Sequence, residues 1–249
     1  MKLEVRHLSY AIRGKEILSD ISFCAEGKEI LGIIGPNGCG KSTLLAHISR
    51  RLASRQTVFF DGVPAEDIPH RAFAQRAAVM MQQREDVAGE LLAEDVVLMG
   101  RYPYKERFRD YTAEDRRIAG DVMKETGADA LIGKKVGEMS GGERQRVWIA
   151  KALAQQPELL LLDEPMNHLD VKYKIALMEE LKRFRGTVII VLHDLSLAAR
   201  YCDRILMIQK GHLVAEGKTA DVMTADALHA LFEIPFYTAD HSGQHYIYY

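Results

Sequence analysis

The 249-residue chain is long enough for one large α/β domain or two small ones. It carries 33 Lys and Arg against 35 Asp and Glu, a formal net charge of -2, and so lacks the basic excess that nucleic-acid binding usually needs. With 47% hydrophobic and 27% charged residues its composition is that of an ordinary globular protein, and no apolar run approaches the ~20 residues of a membrane span. Met1 to His7 interleave charged and apolar residues without a signal-peptide core, which predicts a chain retained in the cytoplasm. Three cysteines, Cys24, Cys39 and Cys202, are too few and too scattered for a disulfide framework or a zinc site, and fit a reducing compartment.

Along the chain, Leu3, Val5 and His7 alternate with Glu4 and Arg6, followed by Leu8, Tyr10 and Ile12. A second run, Ile17 to Phe23, follows the turn signal Arg13-Gly14-Lys15, so the pair reads as antiparallel strands with one wet face. Glu29 to Ile34 is nearly all apolar and suits a strand buried on both faces. Leu159 to Leu162 and Thr187 to Leu192 read the same way, and each ends in acidic or His residues that converge on one sheet edge. Helices are predicted over Glu114 to Glu125, Glu143 to Gln155 and Tyr173 to Phe184, and a hairpin over Arg204 to Glu216 turning at Lys210-Gly211. The predicted organisation is a single domain over 1–249, with an α/β core at about 1–83 and 158–249 and a mainly helical insertion at about 84–157. The tail from Phe232 to Tyr249 is aromatic (Phe232, Phe236, Tyr237, Tyr246, Tyr248, Tyr249) and is expected to pack on the core.

Three segments carry chemistry. Gly35-Pro36-Asn37-Gly38-Cys39-Gly40-Lys41-Ser42-Thr43 fits the phosphate-loop pattern and lies between a buried strand and a helix, as its mechanism requires. The glycines let backbone N–H groups turn toward phosphate oxygens and the helix N-terminus adds partial positive charge. Lys41 would reach the β- and γ-phosphates of ATP and the Ser42 hydroxyl would ligate Mg²⁺. Asp163, carried to the sheet edge by four leucines, can hold Mg²⁺ through water, and Glu164 could polarise the attacking water. Ser140-Gly141-Gly142-Glu143 is a capping box whose two glycines stand at helix-disfavoured positions and leave backbone N–H groups open to an anion. The Cys39 thiol, near a helix N-terminus and Lys41, is expected to have a lowered pKa.

Met139-Ser140-Gly141-Gly142-Glu143-Arg144-Gln145-Arg146 resembles the signature motif of the ABC-transporter ATPases, with Met139 in place of the usual Leu. The resemblance extends over essentially the whole chain. It implies a P-loop NTPase core with an antiparallel β subdomain and a helical insertion, ATP and Mg²⁺ as cofactors, and a head-to-tail dimer in which Ser140, Gly141, Gly142 and Glu143 cover ATP held by the partner's phosphate loop. It further implies that Tyr10 stacks on adenine, although a plain strand aromatic reads as well. Gln83, with Gln82 beside it as the alternative, matches the glutamine that senses Mg²⁺ and water. Asn167-His168-Leu169-Asp170 resembles the D-loop, with Met166 where Thr is frequent, and His193 matches the switch histidine that contacts the γ-phosphate.

Other members of the superfamily fit less well. The DNA-maintenance ATPases insert long coiled coils, whereas only residues 84 to 139 separate Gln83 from Ser140, and ribosome-associated factors carry two such domains per chain. Gly100-Arg101-Tyr102-Pro103-Tyr104, Glu143 to Ala150 and Val191 to Leu195 look like the ATPases of iron-siderophore, haem and cobalamin uptake. That likeness implies a peripheral subunit on the cytoplasmic face of the membrane, with integral-membrane permease partners that dock near Gly100 to Tyr104, and an external substrate-binding protein reached indirectly. A zinc or manganese importer, or an exporter with separate membrane subunits, is the alternative.

Overall fold

The N-terminal alternation folds into β1 (Leu3–Ile12) and β2 (Lys15–Ala25), which pair antiparallel about the Arg13-Gly14 turn and bury Leu3, Val5, Leu8, Leu18 and Ile21. One expectation fails here: the register shifts between Val5 and Leu8, His7 takes φ 50° and is exposed, and Leu8 takes the inward position. A bulge adds one residue to a strand and so turns the following side chains to the other face. The structure is a computed structural model that describes residues 1–81, 89–167, 169–241 and 244–248. It divides into two units, residues 1–68 with 185–249 and residues 69–184.

In the first unit, β3 (Ile30–Ile34) is buried at every position and leads through the glycine loop into α1 (Lys41–Ile48). β4 (Val58–Phe60) and β5 (Val63–Pro64) complete an antiparallel sheet of order β2-β1-β4-β5.

The second unit opens with α2 (His70–Arg76) and β6 (Ala77–Met80), followed by α3 (Ala93–Leu98) and a 3₁₀ stretch over Met99–Tyr104. Next come α4 (Ala113–Glu125), α5 (Gly141–Ala154), β7 (Leu159–Asp163) and α6 (Val171–Arg183). α3, α4 and α5 share a core of Val96, Val97, Val122, Met123, Val147 and Ala150, and β6 runs parallel to β7 with Met80 opposite Leu162.

The chain returns to the first unit as β8 (Thr187–Val191), α7 (Leu195–Tyr201), β9 (Arg204–Gln209) and β10 (His212–Lys218). β3 lies between β8 and β9 and is parallel to both. The β9–β10 hairpin turns at Lys210 (φ 49°) and Gly211 (φ 85°), the two positive φ values that match the twist of a tight hairpin.

After α8 (Thr219–Val222) and α9 (Ala225–Phe232) the tail forms a ribbon of β11 (Tyr237–His241) and β12 (Gln244–Tyr248). This corrects the expected packing of the aromatic tail. Phe236 and Ile247 are buried, but Tyr237, Tyr246 and Tyr248 are exposed, because alternation along β12 sends Ile247 inward and its tyrosine neighbours outward. Among the described residues no helix is long and apolar enough to cross a membrane.

Candidate functional site

The glycine loop is shaped by close backbone contacts. Gly35 has φ 152°, and a Cβ there would lie 2.0 Å from the Ile208 carbonyl oxygen. Gly40, the residue before α1, has φ 109°, and a Cβ there would lie 2.8 Å from the Ile17 oxygen. Neither position tolerates a side chain. Gly40 has no side chain with which to cap α1, and a helix N-terminus of this kind favours an anion. The buried Lys41 side chain folds into the loop, its Nζ donating to the carbonyl oxygens of Gly35 (2.8 Å) and Pro36 (3.0 Å). Asn37, Gly38 and Ser42 are exposed, and Pro36 and Thr43 half-buried.

The register of β3 on β8 pairs Ile33 with Val191, so Gly35 and His193 each leave the sheet two residues further on, at the same edge. That edge, beyond the carboxyl ends of parallel strands, is where open α/β sheets bind ligands. His193 is exposed there. Tyr10 is half-buried, and its ring meets the ring of His47, on α1, edge-on with centroids 4.7 Å apart. The structure therefore ties Tyr10 to the phosphate-loop helix.

The expectation for Cys39 is reversed. The thiol is buried, and burial pushes its pKa up, with the nearby Lys41 charge opposing but not overcoming it. Desolvation of a thiolate outweighs one ammonium whose Nζ stands 4.0 Å from Sγ.

In the second unit Asp163 is buried at the end of β7, and Glu164 follows with φ 51°. The Glu164 carboxylate accepts a hydrogen bond from Asn167 Nδ2 at 2.8 Å. The predicted capping box is present at the start of α5. Ser140 N donates to Glu143 Oε2 (2.7 Å) and Ser140 Oγ accepts from Glu143 N (3.3 Å), with Gly141 and Gly142 half-buried behind it. Lys134 Nζ also reaches both Glu143 oxygens, at 2.9 and 3.0 Å. Lys134 first, and the Ser140 backbone next, pull the Glu143 carboxyl down to about 2. Gln145 Nε2, one turn into α5, donates to the Pro165 carbonyl oxygen and so ties the glycine-opened helix to the segment after Glu164. Asp170 is the N-cap of α6, accepting from Tyr173 N at 3.1 Å. Gln82, Gln83 and His168 lie outside the described residues.

Sequence reading passed over three of these features: the left-handed backbone of Glu164, the Lys134 partner of Glu143, and the Gln145–Pro165 tie. A helical glutamine behind a capping box was visible, but its acceptor is 20 residues away.

The donor set suits MgATP. Among the described residues no group of three or more His, Cys, Asp or Glu side chains could hold a metal ion. Mg²⁺ typically keeps few protein ligands and shares substrate phosphates, which fits an exposed hydroxyl such as Ser42 in the first turn of α1.

A loop that excludes side chains, opens a helix and encloses a lysine is built for phosphate oxygens, and it makes this chain a P-loop nucleotide-binding protein. Residues 18–167 match the family model described as ABC transporter, so the chain belongs to that family and is an ATP hydrolase coupled to transmembrane transport. It is 36% identical to the iron(3+)-hydroxamate import ATP-binding protein of Bacillus subtilis, over 93% of this chain and 88% of that protein. It is 39% identical to the hemin import ATP-binding protein of Deinococcus radiodurans, over 92% of this chain and 89% of that one. A solved dimeric structure of an ATP-binding cassette in a post-hydrolysis state, bound to ADP and Pi, superposes with a TM-score of 0.75 at 26% identity, covering 87% of this chain and 98% of that chain.

Proposed function

We propose that the chain powers uptake of an iron complex, a ferric siderophore first and haem or cobalamin next, through a separate membrane permease. The observation that carries this reading is the near full-length likeness to import ATP-binding proteins for iron(3+)-hydroxamate and hemin. On this reading the chain is a peripheral subunit on the cytoplasmic face of the membrane, and a substrate-binding protein delivers cargo on the far side.

Two copies close head to tail on two ATP molecules, in keeping with the dimeric cassette bound to ADP and Pi. The phosphate loop from Gly35 to Thr43 holds the phosphates through backbone N–H groups, and Lys41 exchanges its loop carbonyls for β- and γ-phosphate oxygens. Ser140, Gly141 and Gly142 of one copy complete the other copy's site, Glu143 keeps Ser140 in its cap, and Asp170, in the segment that resembles the D-loop, would join them at the ATP. Ser42, Asp163 and Gln83 would hold Mg²⁺, which when bound neutralises charge on the transferring phosphoryl group. Glu164 takes the proton of the attacking water, and His193 donates to a γ-phosphate oxygen as negative charge develops there. Tyr10 stacks on the adenine.

The test is uptake of labelled ferric siderophore, haem and cobalamin by host cells with and without this chain. Selective loss of one cargo supports the reading and names the cargo. Unchanged uptake of all three removes the iron claim and leaves the ABC ATPase assignment standing.

A further inference from the structure

Arg101 is among the few buried charged residues, and its surroundings are unusually complete. Its side chain is 7% exposed, and its Nε donates to Asp115 Oδ1 at 3.0 Å, a carboxylate itself only 8% exposed. Nη1 donates to the Ala154 carbonyl oxygen (2.9 Å) and to Gln156 Oε1 (3.1 Å), and the guanidinium lies 4.1 Å over the Tyr104 ring. Asp115 is satisfied in turn by Thr112, whose N and Oγ1 reach Oδ2 at 3.0 and 2.7 Å. One side chain thus joins the 3₁₀ stretch Met99–Tyr104, the N-terminal turn of α4 and the last turn of α5.

The same stretch is pinned elsewhere. Gly100 lies so close to α5 that a Cβ would stand 2.2 Å from the Lys151 oxygen. Tyr104 OH donates to the carbonyl oxygens of Gln75 (2.9 Å) and Gln155 (3.1 Å), and Arg71 Nε donates to the Pro103 oxygen (2.9 Å). This held backbone presents Tyr102 and Phe108, 69% and 93% exposed, beside an open cavity also lined by Arg71, Lys105 and Arg107. α5 has 14 residues and so runs about 21 Å, from the Ser140 cap at one end to the Ala154 carbonyl held by Arg101 at the other.

We infer that Arg101 is a positioning residue that locks the Met99–Lys105 segment, with its exposed Tyr102, to the C-terminal end of α5, so that this segment and Ser140 move as one rigid piece. The inference rests on the importer reading, in which the segment meets the permease and Ser140 meets the partner's ATP. Arg101 touches neither. Its role is to convey displacement along α5, since a fork with three acceptors leaves the segment no independent motion.

The test replaces the clamp without leaving a buried charge. The double variant Arg101→Met with Asp115→Leu exchanges the ion pair for apolar groups, an exchange that buried pairs often tolerate. The full chain is returned to cells lacking it, and uptake of labelled ferric siderophore, haem and cobalamin is measured alongside ATP hydrolysis by the purified chain. The expected result is hydrolysis within about twofold of the wild type and uptake lowered about tenfold, the size of effect that a coupling element carries. Equal uptake by variant and wild type overturns the clamp while leaving the importer reading intact, and so does a fall in uptake matched by an equal fall in hydrolysis. If the wild-type chain itself restores none of the three cargoes, the importer reading fails and the inference goes with it. Should the double variant not fold, Arg101→Lys keeps the buried charge but cannot span three acceptors, and the same separation of uptake from hydrolysis is expected at smaller size.

Discussion

Asn167 Nδ2 donates a hydrogen bond to the Glu164 carboxylate at 2.8 Å, while the Glu164 backbone is held at φ 51°. A left-handed glutamate costs about 1 kcal/mol, a strain that persists where neighbouring structure over-determines the residue. Both features aim one carboxylate, directly after the buried Asp163, in a fixed direction. Glu164→Gln keeps the shape and removes the proposed base, so ATP binding is expected to be retained while hydrolysis falls on the order of 10²- to 10⁴-fold. Asn167→Ala leaves the base but frees it, with an expected loss of about tenfold. Single-turnover hydrolysis beside equilibrium nucleotide binding separates the two. Full turnover by Glu164→Gln would remove Glu164 from the proposed mechanism.

Thiol chemistry distinguishes the three cysteines by burial. Cys24 is exposed, whereas Cys39 and Cys202 are buried and burial raises the pKa of both thiols. Because only the thiolate attacks an alkylating agent, iodoacetamide at neutral pH is expected to label Cys24 and to spare Cys39 and Cys202 in the folded chain. Peptide mass analysis before and after unfolding reads this directly. Rapid labelling of Cys39 in the native chain would contradict the burial that the phosphate loop shows here.

What the sequence disclosed and what it hid follow from range. The apolar runs that became β3, β7 and β8 were legible because strands buried on both faces need no alternation, and all five residues of each are buried. The Ser140–Glu143 box was legible because both partners lie within one turn. Arg101 and Asp115 were not, since a pair 14 residues apart, on two elements, leaves no periodic trace. The outward turn of His7 was hidden too, because one bulged residue does not disturb the composition of a strand. For Cys39, adjacency to Lys41 was visible in the sequence but burial was not, and burial wins. Gly35 and Gly40 show the opposite case: a spacing pattern named them, and positive φ with backbone 2.0 and 2.8 Å from a built Cβ explains why glycine stands there.

The acid end of the stability curve should respond to Lys134. Lys134 and the Ser140 backbone hold the Glu143 carboxyl down to about 2, against 4.5 for the free group. A depressed carboxylate contributes stability that is fully present above its unfolded pKa and is lost as pH falls through its folded one, so the window lies between about 4.5 and about 2. Lys134→Met removes the largest contributor, so Glu143 should protonate at higher pH and the variant should lose its share of stability earlier in an acid titration. Near neutral pH the variant should be the less stable of the two, because the wild type's larger contribution is fully present there, and the gap should close as pH falls toward about 2. Comparing their unfolding midpoints from pH 6 downward cancels the other carboxylates that titrate over the same range. Parallel curves would mean that the Lys134 contact carries no weight in solution.

His47 sets a second pH dependence, nearer neutrality and beneath the phosphate loop. Its ring is buried, Nδ1 lies 3.1 Å from the Ala53 oxygen, and among the described residues the buried Nε2 has no hydrogen-bond partner. Burial lowers its pKa from 6.5, with the Ala53 carbonyl opposing. The neutral ring donates from Nδ1 to Ala53, and a second proton would have to reside on the unpartnered Nε2. Below pH 6.5 the unfolded chain takes up a proton that the folded chain refuses, so stability falls as pH drops through the unfolded value, and above it no slope arises from this group. His47→Leu gives up the Ala53 hydrogen bond, about 1 kcal/mol at neutral pH, and removes that part of the slope. Urea unfolding at pH 7.5, 6.5 and 5.5 should show the wild type losing stability over the lower interval while the variant, weaker at the start, stays flatter. If the variant falls as steeply as the wild type, the slope belongs to another group and the buried ring beside Tyr10 does not sense pH.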